Sequence, residues 1–356
     1  MIPLYKIFMP EDVRGEIDEV VFSGNLTYGN HAKLFESKLR EYVQNPFLLT
    51  TANNNYASII ALSLIDLKRG DEVIASPMAC LASNQPLVAT GAKVIWADID
   101  PITGTLNPDD VKARITRKTK VILHYHWCGY PGYIDEINQL GKDFGIYVID
   151  DAIESFGSEY KGKKLGNCGS DITLFSFQAV RLPNTIDGGA LAFSNKTLFE
   201  RATKMRDWGI NRTTFRDKLG EISPESDISD KGYNALMNEL SGMIGVHQMR
   251  HLNDLIEKQR KNAEIWNSKL NDWALRRIAL RQETNPNYWV YTTFSSNPDN
   301  DIVRLRNLGL YTSRVHIRND NYSCFGVQRY ALPGVDQFAS SAISIPSGWW
   351  FNADKF

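Results

Sequence analysis

Between residues 46 and about 195 two periodicities take turns along the chain. Short apolar runs ("PFLLT", "DEVIAS", "AKVIWADI", "KVILHYH", "IYVIDD") alternate with stretches that are apolar at helical spacing ("ASIIALSLIDL", "CLASNQPLVATG", "PDDVKARI", "YIDEINQLGKDFG"). Regular βα alternation predicts a mostly parallel sheet with helices on both faces. Ligands of such sheets collect at the carboxyl ends of the strands, so strand-end residues are the first candidates for chemistry. After residue 195 the texture changes: "KTLFERATKMRDW" is charged and helical, and a polar segment follows from about 211 to 232. "MNELSGMIGVHQMRHLNDLIEKQRKNAEIWNSKL" then holds an apolar helical period long enough for a connecting helix. The remainder, with "YWVYTTFSS", "NDIVRLRNLGL" and "YTSRVHIRND", reads as a small α+β domain, and no repeat is present. The predicted architecture is α/β, with a large domain over residues 1–235 and a connecting helix plus small C-terminal domain over 236–356.

Composition supports this size of core, with 43% hydrophobic and 11% aromatic residues in a chain of 356. A net charge of -1 with interspersed signs leaves no basic stripe to neutralise a nucleic-acid backbone. The N-terminal "MIPLYKIFMPEDVRGEIDEV" has no basic segment followed by an apolar one, and no run reaches the length of a spanning helix. A cytoplasmic protein without membrane or nucleic-acid partners is expected. Cys80, Cys128, Cys168 and Cys324 lie far apart, which indicates reduced thiols rather than zinc ligands or disulfides. His124 and His126 alternate on a strand and point the same way. With no carboxylate or third ligand close by, they read as a polar rim at a strand end, and no metal is expected.

The strand-end residues are more informative. "VIDDAIESFGS" places Asp150 and Asp151 at the end of an apolar strand, with Glu154 following; taken alone, these are acids starting a helix. "GSDITLFSFQAVR" delivers Ser176 and Arg181 from a later strand end, and "TANNNYASIIAL" places Asn53, Asn54 and Asn55 at the start of a helix. A helix N-terminus with small polar residues is a ready anion site. A carboxylate, an anion site and a loop-borne basic group in one crevice suit a phosphorylated cofactor with a cationic ring, and pyridoxal phosphate fits.

At these residues the chain resembles the DegT/StrS family of sugar aminotransferases, of the fold-type-I pyridoxal phosphate class. "SGNLTYGNHAKLFESKL", "GDEVIAS", "GAKVIWADID", "IDDAIESFGSEYKGKKLG", "FSFQAVR…DGGAL" and "KGYNALMNELSGMIGVHQM" resemble family stretches in the family's order. The resemblance implies that the cofactor is pyridoxal 5'-phosphate or pyridoxamine 5'-phosphate. It implies that Asp151 pairs with the pyridine nitrogen and that Glu154 lies near the ring hydroxyl, where the family usually has glutamine. It also implies that Ser176 and the backbone at Asn54 and Asn55 hold the phosphate, and that Asn234 reaches in from the second subunit of a homodimer. His316 and Arg318 lie near where related enzymes contact substrate. The implied partners are a nucleotide-sugar and an amino donor, usually glutamate.

Four positions depart from the family pattern. "ANNNYAS" stands where Ser-Gly-Thr is common, Cys80 where an aromatic ring stacks on the cofactor, and Leu236 where an arginine is common. Arg181 matches the Schiff-base lysine, counted both from Ser176 and from the following "DGG". A lysine amine can lose its proton and attack an aldehyde; a guanidinium keeps its charge and delocalises it, and is a poor nucleophile and a poor base. Such a chain is expected to bind cofactor and to turn over slowly or stall. Aminotransfer to a keto-sugar is the leading reading, beside a cofactor-dependent sugar dehydratase and a non-catalytic ligand-binding homologue. Arg314 and the pair Trp349 and Trp350 are candidates for holding a nucleotide-sugar, the tryptophans equally for core packing.

Overall fold

In the computed structural model, which describes residues 1–327 and 330–356, the βα alternation becomes a seven-stranded sheet. Its strands are β1 (Leu48–Thr51), β2 (Glu72–Ala75), β3 (Lys93–Trp96), β4 (Thr119–Tyr125), β5 (Tyr147–Asp151), β8 (Ile172–Ser176) and β9 (Gly189–Phe193). Two short strands, β6 (Glu159–Tyr160) and β7 (Lys163–Lys164), form a hairpin between β5 and β8. The order is β1-β9-β8-β5-β4-β2-β3, and only β9 runs against its neighbours. The reversal follows from chain length: β8 and β9 are joined by a loop of residues 177–188 with no helix to carry a parallel crossover.

The helices are α1 (Arg14–Val21), α2 (Asn30–Val43), α3 (Asn54–Leu64), α4 (Leu81–Ala89), α5 (Pro108–Arg114), α6 (Ile134–Phe144), α7 (Lys196–Met205) and α8 (Glu239–Lys269). Apolar residues of α3, α4 and α7 bury one sheet face with Val73, Leu123, Ile149 and Leu174. Those of α2, α5 and α6 bury the other, against Leu48, Ile74, Ile122, Val148 and Phe175. Strands buried on both faces need continuous apolar runs, which is what the sequence shows.

The connecting helix expected from the sequence is α8, of 31 residues. It starts against α2, where glycine permits close approach: a Cβ on Gly242 would lie 2.4 Å from the Ala32 backbone. It ends in the C-terminal layer, where Asn262 donates to the carbonyls of Ser347, Gly348 and Phe351 at 3.0–3.1 Å. That layer holds β10 (Arg276–Arg277), β12 (Tyr291–Phe294) and β13 (Ala342–Ile345) in one sheet, with α9 (Pro298–Asn307) and α10 (Pro333–Ser341). A further strand, β11 (Thr284–Asn285), joins the β6–β7 hairpin. The first residues of the chain also belong to this layer, Ile2 pairing in parallel with Leu310. No helix is long and apolar enough to cross a membrane among the described residues.

Candidate active site

The period of two along β4 and β5 sorts the side chains at their carboxyl ends. Tyr125 and Asp151 are register partners, and so are His124 and Asp150. Neighbouring residues point to opposite faces, so Asp151 and Asp150 serve different environments. Leu174 is the partner of Asp151 on β8, and Ser176, two residues on, faces the same side farther along the strand.

Asp151 is buried, and its Oδ1 accepts from the Ile153 amide at 3.2 Å. Its Oδ2 has no hydrogen-bond partner. Burial pushes its carboxyl up to about 6 against the nearby Ser83 hydroxyl and the Ile153 amide, and the Glu154 charge adds to the rise; the Ser83 hydroxyl does not reach hydrogen-bond geometry with Oδ2. A buried carboxylate oxygen left without a donor costs free energy unless a cationic N–H meets it. Beyond Ser176 lies the start of α3, where Asn53 caps the helix by accepting from the Tyr56 amide at 3.0 Å. Gly189 sits opposite Ser176 in the sheet, and a Cβ there would lie 2.8–2.9 Å from the backbone of Asn53 and Asn54. Glycine thus brings Ser176 and the open N–H groups of α3 together, as a bound anion requires. The Asn54 side-chain oxygen is also buried without a partner. The ring-nitrogen and phosphate ends of a pyridoxal-type cofactor are therefore both matched by residues present.

The third group surrounds Glu154, whose side chain is fully buried. Arg181 donates from Nη2 to its Oε1 at 3.1 Å, His316 Nε2 lies 3.1 Å from the same oxygen, and the Tyr125 hydroxyl donates to Oε2. Burial alone would raise this carboxyl, but the contacts with His316, the Arg181 guanidinium and the Tyr125 hydroxyl hold it down at about 2. The Arg181 guanidinium stacks on Trp289 with its carbon 4.1 Å from the ring centre, and its Nε and Nη1 make no hydrogen bonds. Trp289 in turn stacks on Tyr5 at 4.6 Å, so the N-terminal segment reaches the pocket. Cys80 joins the same cluster: its Sγ, a Glu154 oxygen and a His316 nitrogen all lie within 4.8 Å of one another. Burial, with the Glu154 charge, pushes the thiol up to about 11. A cation held by these three would face the guanidinium on the same carboxylate, so the set is built as a hydrogen-bonded network.

Residues 9–354 match the DegT/DnrJ/EryC1/StrS aminotransferase family. The chain belongs to this family. GDP-perosamine synthase of Escherichia coli O157:H7 is 31% identical over 273 residues, covering 76% of this chain and 71% of that protein. The crystal structure of the sugar aminotransferase CalS13 from Micromonospora echinospora superposes with a TM-score of 0.92 at 28% identity, covering 99% of this chain and 96% of that one. Spr1654 of Streptococcus pneumoniae, solved in PLP and PMP forms, shares the fold with TM-scores of 0.88 and 0.89 at 21% and 22% identity. The fold expectation of a fold-type-I aminotransferase holds.

Among the residues singled out by the DegT-type pattern, the structure brings Asp151, Glu154, Arg181, Cys80 and His316 into one strand-end cluster, with Ser176, Asn54 and Asn55 beside it. It does not bring Asn234 and Leu236 there within one chain. Both line a separate cavity of about 1150 Å³ with Tyr28, Lys33, Arg206 and Arg212. Arg318 also stands apart, its guanidinium committed to Asp320 at 2.6 Å and to Asp336, and Arg314 pairs with Asp299 at 2.9 Å. Trp350 donates to the Pro3 carbonyl at 3.0 Å, and Trp349 meets Phe8 edge-on at 5.1 Å, so this pair packs the N-terminal segment.

The polar-rim reading of His124 and His126 is corrected. Both are fully buried, and Asp150, distant in sequence but adjacent across the β4–β5 ladder, is the carboxylate that local spacing hid. Asp150 Oδ1 lies 3.1 Å from His124 and 3.5 Å from His126, and its Oδ2 accepts from Ser170 at 2.6 Å. Tyr125, Trp289 and Tyr5 were missed. Tyr125 was readable, since alternation sends it to the face opposite the histidines; Tyr5 and Trp289 carry no local signal.

Proposed function

We propose that this chain is a pyridoxal/pyridoxamine-phosphate-dependent aminotransferase that places an amino group, drawn from glutamate, on a nucleotide-linked keto-sugar for amino-sugar synthesis in the cytoplasm. The observation that carries this reading is the unpartnered Oδ2 of buried Asp151, on the face it shares with Ser176 near the start of α3. The GDP-perosamine synthase relative supports a sugar carried by a nucleoside diphosphate.

The bound group would act as the electron sink and nitrogen carrier. Asp151 would hold the ring nitrogen protonated through Oδ2. Ser176 and the backbone amides of Asn54 and Asn55 would hold the phosphate, with Asn234 contributed across a two-fold axis to the partner's site. Cys80 would pack on the ring, its thiol kept neutral by burial. Glu154 would lie by the ring hydroxyl, its charge balanced by Arg181 and its other contact made by His316. Arg181 fills the lysine's place and supplies positive charge, but makes no covalent link, so the cofactor is retained by these contacts alone and turnover is slow. Arg318 and Arg314, engaged by acidic partners, would have to exchange them for the nucleotide-sugar's phosphates.

An assay with pyridoxamine phosphate, glutamate and nucleotide-linked keto-sugars tests this. Amino-sugar formed as glutamate is consumed is expected. A deoxygenated keto-sugar formed with release of ammonia, in place of an amino-sugar, would replace the reading with a dehydratase, and cofactor binding without product would leave a binding protein.

A further inference from the structure

We propose that His316, held by Glu154, is the proton carrier of this site and does with an imidazole what the family's lysine does with an amine. The inference rests on the aminotransferase reading above, because it concerns the proton that must move when nitrogen is transferred.

Arg181 occupies the lysine position and cannot give up a proton at working pH, so another group must serve. The candidates in the pocket can be taken in turn. Burial pushes the Tyr125 and Tyr5 phenols and the Cys128 thiol well up, and Cys80 to about 11, so all four keep their protons. Glu154 is paired with the Arg181 guanidinium at 3.1 Å, so it stays ionised and accepts hydrogen bonds without storing a proton. The free oxygen of Asp151 is the one the ring nitrogen requires. His316 remains, and imidazole is the side chain suited to take and return a proton near neutrality.

Its geometry is that of an oriented base. An ionised carboxylate only accepts, so the contacts at 3.1 and 3.4 Å from His316 Nε2 to the two Glu154 oxygens place the hydrogen on Nε2. The lone pair is then on Nδ1, which makes no hydrogen bond among the described residues. The ring is fixed edge-on by Trp127 at 5.8 Å and Tyr125 at 6.3 Å. Its backbone is fixed as well: the preceding Val315 has φ +65°, a left-handed conformation costly for a β-branched residue, pinned by the Ser313 hydroxyl 3.1 Å from the Val315 amide. Nδ1 would take a proton from the carbon bearing the nitrogen and return it to the sugar carbon. The imidazole ends as it began, and no further reactant is needed.

Two measurements test this. In the cofactor-free protein, nitrogen NMR of labelled histidine, with His316 assigned through His316→Gln, should show the proton on Nε2, and Glu154→Gln should abolish that preference. A proton on Nδ1 in the parent would overturn the dyad whatever the cofactor does. In D2O, the parent should exchange the methylene hydrogens of bound pyridoxamine phosphate. His316→Gln and His316→Ala should slow that exchange about 100-fold or more at unchanged pyridoxamine phosphate affinity, with added imidazole restoring it in His316→Ala. Exchange absent from the parent, or unchanged in both variants while cofactor still binds, overturns the proposal alone. Failure of the parent to bind pyridoxamine phosphate overturns the aminotransferase reading and this inference with it.

Discussion

At the scale of single residues, the pocket is defined by which charges face one another. Arg181 meets Glu154 at 3.1 Å, so the arginine is half of a buried ion pair. Restoring lysine should free an amine that can attack an aldehyde. Borohydride treatment of Arg181→Lys with pyridoxal phosphate is expected to fix the cofactor on residue 181, read by peptide mass, and to leave the parent unlabelled. Asp151 makes a second prediction with a defined sign. Its carboxyl is pushed up to about 6, so it gains a proton as pH falls through that value and can no longer complement a pyridinium. Pyridoxamine phosphate affinity should therefore weaken below pH 6 in the parent. Asp151→Asn should bind weakly throughout and lose this component of the pH profile, measured by calorimetric titration of both proteins.

At the scale of elements, two contacts anchor α2. The α2–α8 crossing depends on Gly242, where a Cβ would meet backbone that cannot rotate away. Gly242→Ala should cost about 1–3 kcal/mol through overpacking, seen as a lowered denaturation midpoint. One turn along α2 from Ala32, Glu36 is buried between Arg206 at 2.6 Å and Arg40 at 2.6 Å and accepts from the Thr50 amide, tying α2 to β1 and to the end of α7. Burial works against this carboxylate, yet the two arginines hold it below its ordinary range. A depressed folded value means that the stabilisation is fully present above the unfolded value and is lost as pH falls through the folded one. Glu36→Gln should destabilise by about 3–5 kcal/mol at neutral pH, since it leaves buried guanidinium charge without a partner. The gap from the parent in denaturant titrations should close as pH falls below about 4.

At the scale of the whole molecule, the cavity of about 1150 Å³ bearing Asn234 is the feature a single chain leaves unexplained. Asn234 itself is fixed, bridging to Asp207, while its neighbour Ala235 accepts from the Ala52 amide at 2.8 Å next to the start of α3. If Asn234 serves a second subunit's phosphate, two-fold symmetry builds two equal sites. Light scattering should then report a dimer, and Asn234→Ala should weaken pyridoxamine phosphate binding. A stable monomer with full cofactor affinity would remove Asn234 from the site.

Periodicity alone determined the alternating sheet, the connecting helix and the strand ends on which Asp151, Glu154, Ser176 and Arg181 stand, because burial on both faces forces apolar strands and local spacing fixes where they stop. Motif spacing aligns Arg181 with the family's lysine by resemblance. Only the tertiary structure decided who meets whom. Asp150 became the partner of His124 and His126 through a ladder between strands some 25 residues apart, which local spacing does not encode. His316 was brought to Glu154 from the C-terminal layer, and Trp289 and Tyr5 were carried to Arg181 from opposite ends of the chain. Arg318 was drawn off by Asp320 and Asp336. Such pairings depend on distances that exist only once the layers have packed, so a sequence can name the groups of a site without showing which charge each will face.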